Sequence, residues 1–303
     1  MALLAADFKA DLLVMARQCL QERWPSENIP DRDILPKYFD SLRRWPAARL
    51  RRVWEADDFL CPQEKVKGWE LLRKKVLKGE DLRPHLAREH SDLSHLDGLL
   101  NEWGVHYLHL GLQPYFKDSS FVDRTKQLLF ALITDDDFYA INIYPQHGDW
   151  ETAEILESLH RNWPQVVARY RIPRVPGENL GKQERKNLRN ANVQAFTAVS
   201  DGTVYAPIRG GVASSGVSID AVMRTARAYA DMKRLQIAMQ EQIEKFIIQL
   251  RPRGYSDGQA IKATLVAVDS VGYHVLFPEF GVRANVKFEQ YLTDAGKTES
   301  YSS

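Results

Sequence analysis

Histidine is the side chain whose ordinary pKa suits proton transfer near neutral pH. Seven of the eight histidines in this chain fall between His85 and His160. At the centre of that window lies Gly104-Val-His-Tyr-Leu-His-Leu-Gly-Leu112, followed by a polar loop to Arg124-Thr125. Next come the apolar run Leu128 to Ile133, three aspartates (Asp135, Asp136, Asp137), a second strand-like run Phe138 to Tyr144, and His147. A base, an acid and a cation suffice to cleave a ribose phosphodiester without a metal. His109 and His147 can supply the first two. Arg124, with Lys117 or Lys126, can supply the third.

A strand must position these groups. Side chains alternate between faces, so His106, Leu108, Leu110 and Leu112 share one face and Val105, Tyr107, His109 and Gly111 the other. The first set is more apolar and is expected to face the core. Tyr107 and His109 then look out on the more open side, where Arg124 and His147 can converge. The His106–His109 spacing would suit a metal on a helix, but on a strand it separates the two rings. A zinc set would need His109, His147 and a carboxylate such as Asp149, so no metal is expected. His85, His90 and His95 lack the three- or four-residue spacing of a helical metal face and read as surface or interface residues. Neither Cys19 nor Cys61 sits in a nucleophile motif, and two thiols make no disulfide framework. No cofactor motif is present, and none is expected.

Two further stretches are candidates for binding. The run Leu42 to Trp54 interleaves Arg43, Arg44, Arg49, Arg51 and Arg52 with Trp45 and Trp54, a mixture able to grip phosphates and stack on bases. The loop Arg209 to Ser218 contains Gly210, Gly211, Ser214, Ser215 and Gly216 and opens a helix with Ser218 as N-cap, so its N–H groups could cradle an anion. It lacks the endings of a P-loop or a dinucleotide fingerprint.

The net charge of +1 hides segregation. Residues 43–78 hold eleven Lys or Arg against five Asp or Glu, whereas residues 127–160 hold seven acidic residues and no Lys or Arg. Such opposed blocks allow local binding of a polyanion. Hydrophobic residues are 44% and charged residues 27%, an ordinary globular balance. Met1 to Leu20 reads as an amphipathic helix and not a signal peptide, and no apolar run reaches bilayer length, so a cytoplasmic chain without a membrane is expected.

In order, helices are expected over Ala2–Arg23, Leu35–Trp45, Ala47–Glu55 and Gln63–Lys78, with Gly79 closing the last. After the central sheet, Asp201-Gly202 turns a hairpin, Ile219 to Leu250 forms a long helix, and Ala260 to Phe288 forms a three-stranded meander appended to the rest. The fold class is α+β: a helical N-terminal region (1–103), an α+β core with a central antiparallel sheet (104–250), and a small β meander with a polar tail (251–303).

The basic residue Arg124, the strands Leu128 to Ile133 and Phe138 to Tyr144, and the closing His147 resemble the catalytic sheet of the RelE/barnase-like toxin endoribonucleases. The resemblance covers about fifty residues. It implies a metal-independent endoribonuclease, a toxin or phage-defence effector acting on RNA, with Arg124 and His147 at the site; the strand pattern adds His109 and Tyr107 as candidate catalytic residues. The rival expectation is a non-catalytic nucleic-acid-binding or protein-interaction module, in which the histidines are structural and the partner is nucleic acid, a protein or a second copy.

Overall fold

The computed structural model describes residues 3–25, 27–145, 153–175, 180–214, 216–269 and 271–287. His147, Asp149 and Ser215 lie outside the described residues. In chain order the elements begin with β1 (Leu4–Ala5), α1 (Phe8–Arg23), α2 (Asp31–Arg44), β2 (Arg52–Glu55), α3 (Val66–Lys78) and α4 (Gly98–Trp103). Strands β3 (Val105–His109), β4 (Pro114–Tyr115), β5 (Asp118–Val122), β6 (Gln127–Ile133) and β7 (Asp137–Pro145) follow. Then come α5 (Glu154–Asn162), α6 (Pro164–Val167), α7 (Lys182–Asn190), β8 (Thr197–Ala198), β9 (Val204–Tyr205), α8 (Ile219–Glu241) and α9 (Ile243–Leu250). The order closes with β10 (Ile261–Lys262), β11 (Thr264–Asp269), β12 (Gly272–Phe277) and β13 (Val282–Val286). The fold is α+β.

The contacts gather the chain into two units that do not follow borders at 103 and 250: residues 1–38 with 223–303, and residues 39–222. In the first unit β1, near the N-terminus, pairs in parallel with β10, more than 250 residues later. The meander β11–β12–β13 forms at the expected place, but it is not an appendage. The Asp11 carboxylate on α1 accepts from Leu265 N–H at 2.8 Å, and Phe246 on α9 lies 5.3 Å from Phe277 on β12. The long helical pattern is broken at Gln242, whose φ and ψ of −96° and 10° leave the helical region, so α8 and α9 are separate.

The second unit is built on a four-stranded sheet ordered β2-β7-β6-β3. Three strands are antiparallel, as the hairpin pattern suggests. The fourth, β2, pairs in parallel with β7 where a helix over Ala47–Glu55 is expected. Backbone bonds from Arg52 N to Asp136 O (2.9 Å) and Ala56 N to Ala140 O (3.0 Å) hold it in place.

Both faces of this sheet are covered. Leu128, Phe130 and Leu132 of β6 pack with Trp103, Ile155 and Leu159, while Leu129, Ala131 and Ile133 pack on the other face with Trp69, Leu72 and Leu86. That is why β6 is apolar without alternation: a strand buried on both sides has no polar side to show. The expected open face carrying Tyr107 and His109 is therefore corrected. His109 is 3% exposed and His106 is 4% exposed.

Candidate functional site

A cavity of about 810 Å³ opens in the second unit, within the size range of small-molecule sites. Tyr107 and His109 from β3, Phe130 from β6 and Arg124 from the loop before β6 form part of its wall. Tyr107 stands directly opposite Phe130 across the β3–β6 ladder, with ring centroids 6.3 Å apart. Phe130 in turn meets Tyr144 at 5.3 Å. Three of the expected catalytic residues thus share one cavity; His147 lies outside the described residues.

His109 has a defined tautomer. Thr125 N–H donates to its Nδ1 at 2.9 Å, so that nitrogen carries a lone pair and the ring proton belongs on Nε2. Burial, then the neighbouring Arg124 charge, lowers its pKa to about 3. The ring is neutral near pH 7. It offers a hydrogen-bond donor and no proton acceptor. Burial raises the Tyr107 phenol far above its usual range, so this group also stays protonated. Arg124 is anchored: both terminal nitrogens donate to Leu86 O at 2.8 and 2.9 Å, and its guanidinium lies 5.0 Å from the Phe121 ring.

Of the other histidines, His85, His90 and His106 are buried and not surface residues, whereas His95 is half-buried in the cavity wall. His85 is fully buried, its Nδ1 2.8 Å from His109 O, and burial lowers its pKa to about 4. His106 places Nε2 3.0 Å from Arg43 O, and burial lowers its pKa to about 3. His90, 1% exposed, stands 3.0 Å from Asp97 at ion-pair distance. Burial pushes the Asp97 carboxyl up, but His90 and the Leu100 N–H that Asp97 caps outweigh it and hold the pKa at about 2.

The arginine–tryptophan run is not an open basic surface. Arg43, Arg44 and Arg51 are buried at 8%, 3% and 5% exposure. Arg43 donates to Asp40, Asn101 and Leu100 O; Arg44 to Asp40, Asp92 O and His95 O; Arg51 to Thr134 O and Ala47 O. The two exposed members face the aspartates of the β6–β7 turn. Arg52 grips Asp137 with two bonds of 2.7 and 2.9 Å, and Trp54 Nε1 donates to the same carboxylate at 2.8 Å. Arg49 lies 3.5 Å from both Asp135 and Asp136. The β2–β7 pairing brings Arg49 and Arg52 of the basic block against the three aspartates of the acidic one.

The Gly/Ser loop is a turn that uses several of its own N–H groups internally. Gly210 N donates to Pro207 O, Ala213 N to Val217 O, Gly216 N to Ala213 O and Ile219 N to Gly211 O, so these N–H groups are spent within it. Gly211, at φ 79°, is packed against Gln194, and a Cβ there would lie 2.7 Å from Gln194 Oε1. Ser214 is exposed and its carbonyl accepts from Asn192. Ser218 Oγ does cap the helix, accepting from Ala221 N–H at 3.4 Å. Among the described candidate residues of the loop, Gly216 alone reaches the cavity wall. Lys117 and Lys126 are exposed and do not line it.

The sequence reading missed Arg88, Lys186, Asn192 and Gln194 in this wall. Lys186 sits in a basic stretch, but nothing local marks which of its cations turns toward β3. It also missed a polar chain beside the cavity unit's core. Tyr205 OH lies 2.8 Å from His160 Nδ1, His160 Nε2 lies 3.1 Å from Asp201, and Arg171 Nε donates to the same phenol oxygen at 3.2 Å. Tyr205 is wholly buried, and this chain ties α5 to the β8–β9 turn.

Among the described residues no group of three or more His, Cys, Asp or Glu could hold a metal ion, and no helix is long and apolar enough to cross a membrane. No protein-family model matches the chain, and neither a curated protein nor a solved structure matches it.

Proposed function

We propose that residues 39–222 bind single-stranded nucleic acid, holding one nucleotide unit in the cavity without cutting it. The state of His109 carries this reading. A general base needs an acceptor nitrogen facing the substrate, and His109 has committed its lone pair to Thr125 N–H. What remains suits recognition: the Nε2–H donor, the Tyr107–Phe130 aromatic wall for stacking, and the exposed Arg88 and Lys186 for phosphate. A second reading, a metal-independent endoribonuclease resembling the RelE/barnase-like toxins, draws on Tyr107, His109 and Arg124 sharing one cavity.

Fluorescence anisotropy with a short labelled single-stranded RNA in EDTA, followed by a denaturing gel of the same sample, tests both. Binding with intact RNA, weakened in Tyr107→Ala by about fivefold or more as for lost base stacking, is the expected result. Cleavage that disappears in His109→Ala selects the nuclease reading. Absence of binding removes both.

A further inference from the structure

The hairpin β4–β5 carries the most exposed large apolar side chain among the described residues: Phe116 is 83% exposed. An isolated exposed ring is unremarkable by itself. This one is held in company. Tyr115 meets it edge-on at 5.0 Å, and Lys117 Nζ lies 5.4 Å from its ring centre. A ring pair with a cation beside it is the composition of a stacking platform for bases, with a charge placed for the phosphate between them.

The hairpin stands beside the cavity. Its strand β5 carries Phe121, whose ring lies 5.0 Å from the guanidinium of Arg124, a cavity-wall residue. Asp118, at the turn, bonds Ser120 N at 3.1 Å and Ser120 Oγ, and it feels the charges of Arg88 and Arg124, both in the wall. Two bonds to Ser120 keep the turn in shape. Asp118 is the one acidic group of the tip, and its side chain is held by Ser120. Asp123 N donates to Gln113 O at 2.8 Å and ties the hairpin's two ends, and Gly111 lacks the Cβ that would lie 2.3 Å from Asp123 O.

We infer that the hairpin tip is a second subsite, in which Phe116 stacks on the base next to the one in the cavity and Lys117 meets the intervening phosphate. This rests on the nucleic-acid reading and adds a direction to it: the strand leaves the cavity past Arg124 toward the β4–β5 turn.

The test compares a mononucleotide with a strand on the full chain. Adenosine monophosphate, measured by calorimetry, reports the cavity alone. A short fluorescein-labelled single-stranded RNA, measured by anisotropy, reports cavity and hairpin together. Phe116→Ala is expected to weaken RNA binding by about fivefold to a hundredfold, as removal of a base-stacking ring does, and to leave the mononucleotide unaffected. Phe116→Trp is expected to restore the RNA affinity. Because Phe116 supports almost no packing, thermal melting of both variants should match the parent. RNA binding unchanged in Phe116→Ala, with mononucleotide binding intact in the parent and lost in Tyr107→Ala, overturns the subsite and spares the cavity. A parent chain that binds neither probe overturns both.

Discussion

Arg49 and Arg52 stand 3.5 and 2.7 Å from the aspartates of the β6–β7 turn, whereas Arg88 and Lys186, in the cavity wall, make no ion pair among the described residues. The first region has the higher density of cations in the sequence, and the second has the cations with charge left over for a ligand. The difference teaches that a basic block is a surface for polyanions only when its counter-charges are solvent ions. Counter-ion release drives binding to phosphate, and a carboxylate fixed by a strand pairing is not released. Arg43, Arg44 and Arg51 go further: their guanidinium groups serve as buried cross-links between α2, the loop after it and the segments that carry Asp92, His95, Asn101 and Thr134.

The largest expected effect lies inside the arginine block. Arg43→Ala should lower stability by about 3–5 kcal/mol, because it strands the half of a buried pair that remains and unpairs Asn101. Urea denaturation measures this, and a loss of less than about 1 kcal/mol would mean that the region is more open than its burial indicates.

A second contrast sharpens with pH. His85, His106 and His109 are kept neutral in the folded chain, with pKa values of about 4, 3 and 3. In the unfolded chain each returns to about 6.5 and takes up a proton as the pH falls. The unfolded state therefore binds more protons below about pH 6.5, and stability should decline from there toward about pH 4. Each histidine contributes at most about 1.4 kcal/mol per pH unit in that window. The Asp97 contribution has the opposite kind of origin, since its pKa is depressed: it is present above the ordinary carboxylate pKa and is lost only as the pH falls toward about 2. Urea midpoints measured from neutral to mildly acidic pH should fall in the parent and fall less steeply in His106→Ala and His109→Ala. A flat parent profile would show that these rings are not buried as neutral groups. Both alanine variants should also lose stability, since both rings are enclosed.

The smallest effect tests the comparison itself. Arg88→Gln and Lys186→Gln should each flatten the slope of log affinity for single-stranded RNA against log salt by about 0.7, the share of one phosphate contact. Arg49→Gln and Arg52→Gln should leave it unchanged. A reversal, with the slope responding to Arg49 or Arg52 and not to the cavity pair, would move the binding surface to the sheet edge.

The sequence by itself determined what depends on neighbours along the chain. The uninterrupted apolar run of β6 and the β-rich run of β7 marked a hairpin, and both formed. Gly79 closes α3 with φ 71°, and Gly202 turns β8 into β9 with φ 84°, because those positions need a left-handed backbone that glycine adopts without strain. Tyr107, His109 and Arg124 could be singled out together because they lie within eighteen residues of one another, on one strand and the loop that follows its return.

Tertiary structure alone decided the rest. Strand β2 has a sequence fit for a helix, and it is a strand because β7, more than eighty residues away, offers it a paired edge. That pairing set Arg49 and Arg52 against Asp135, Asp136 and Asp137. The segment that carries Thr125 packs on His109, which was expected to be open, and the Thr125 backbone N–H fixed which of its nitrogens keeps the proton. Alternation along a strand tells which side chains share a face; it carries no information about what lies above that face, and the charge and proton of every group there are set by what does.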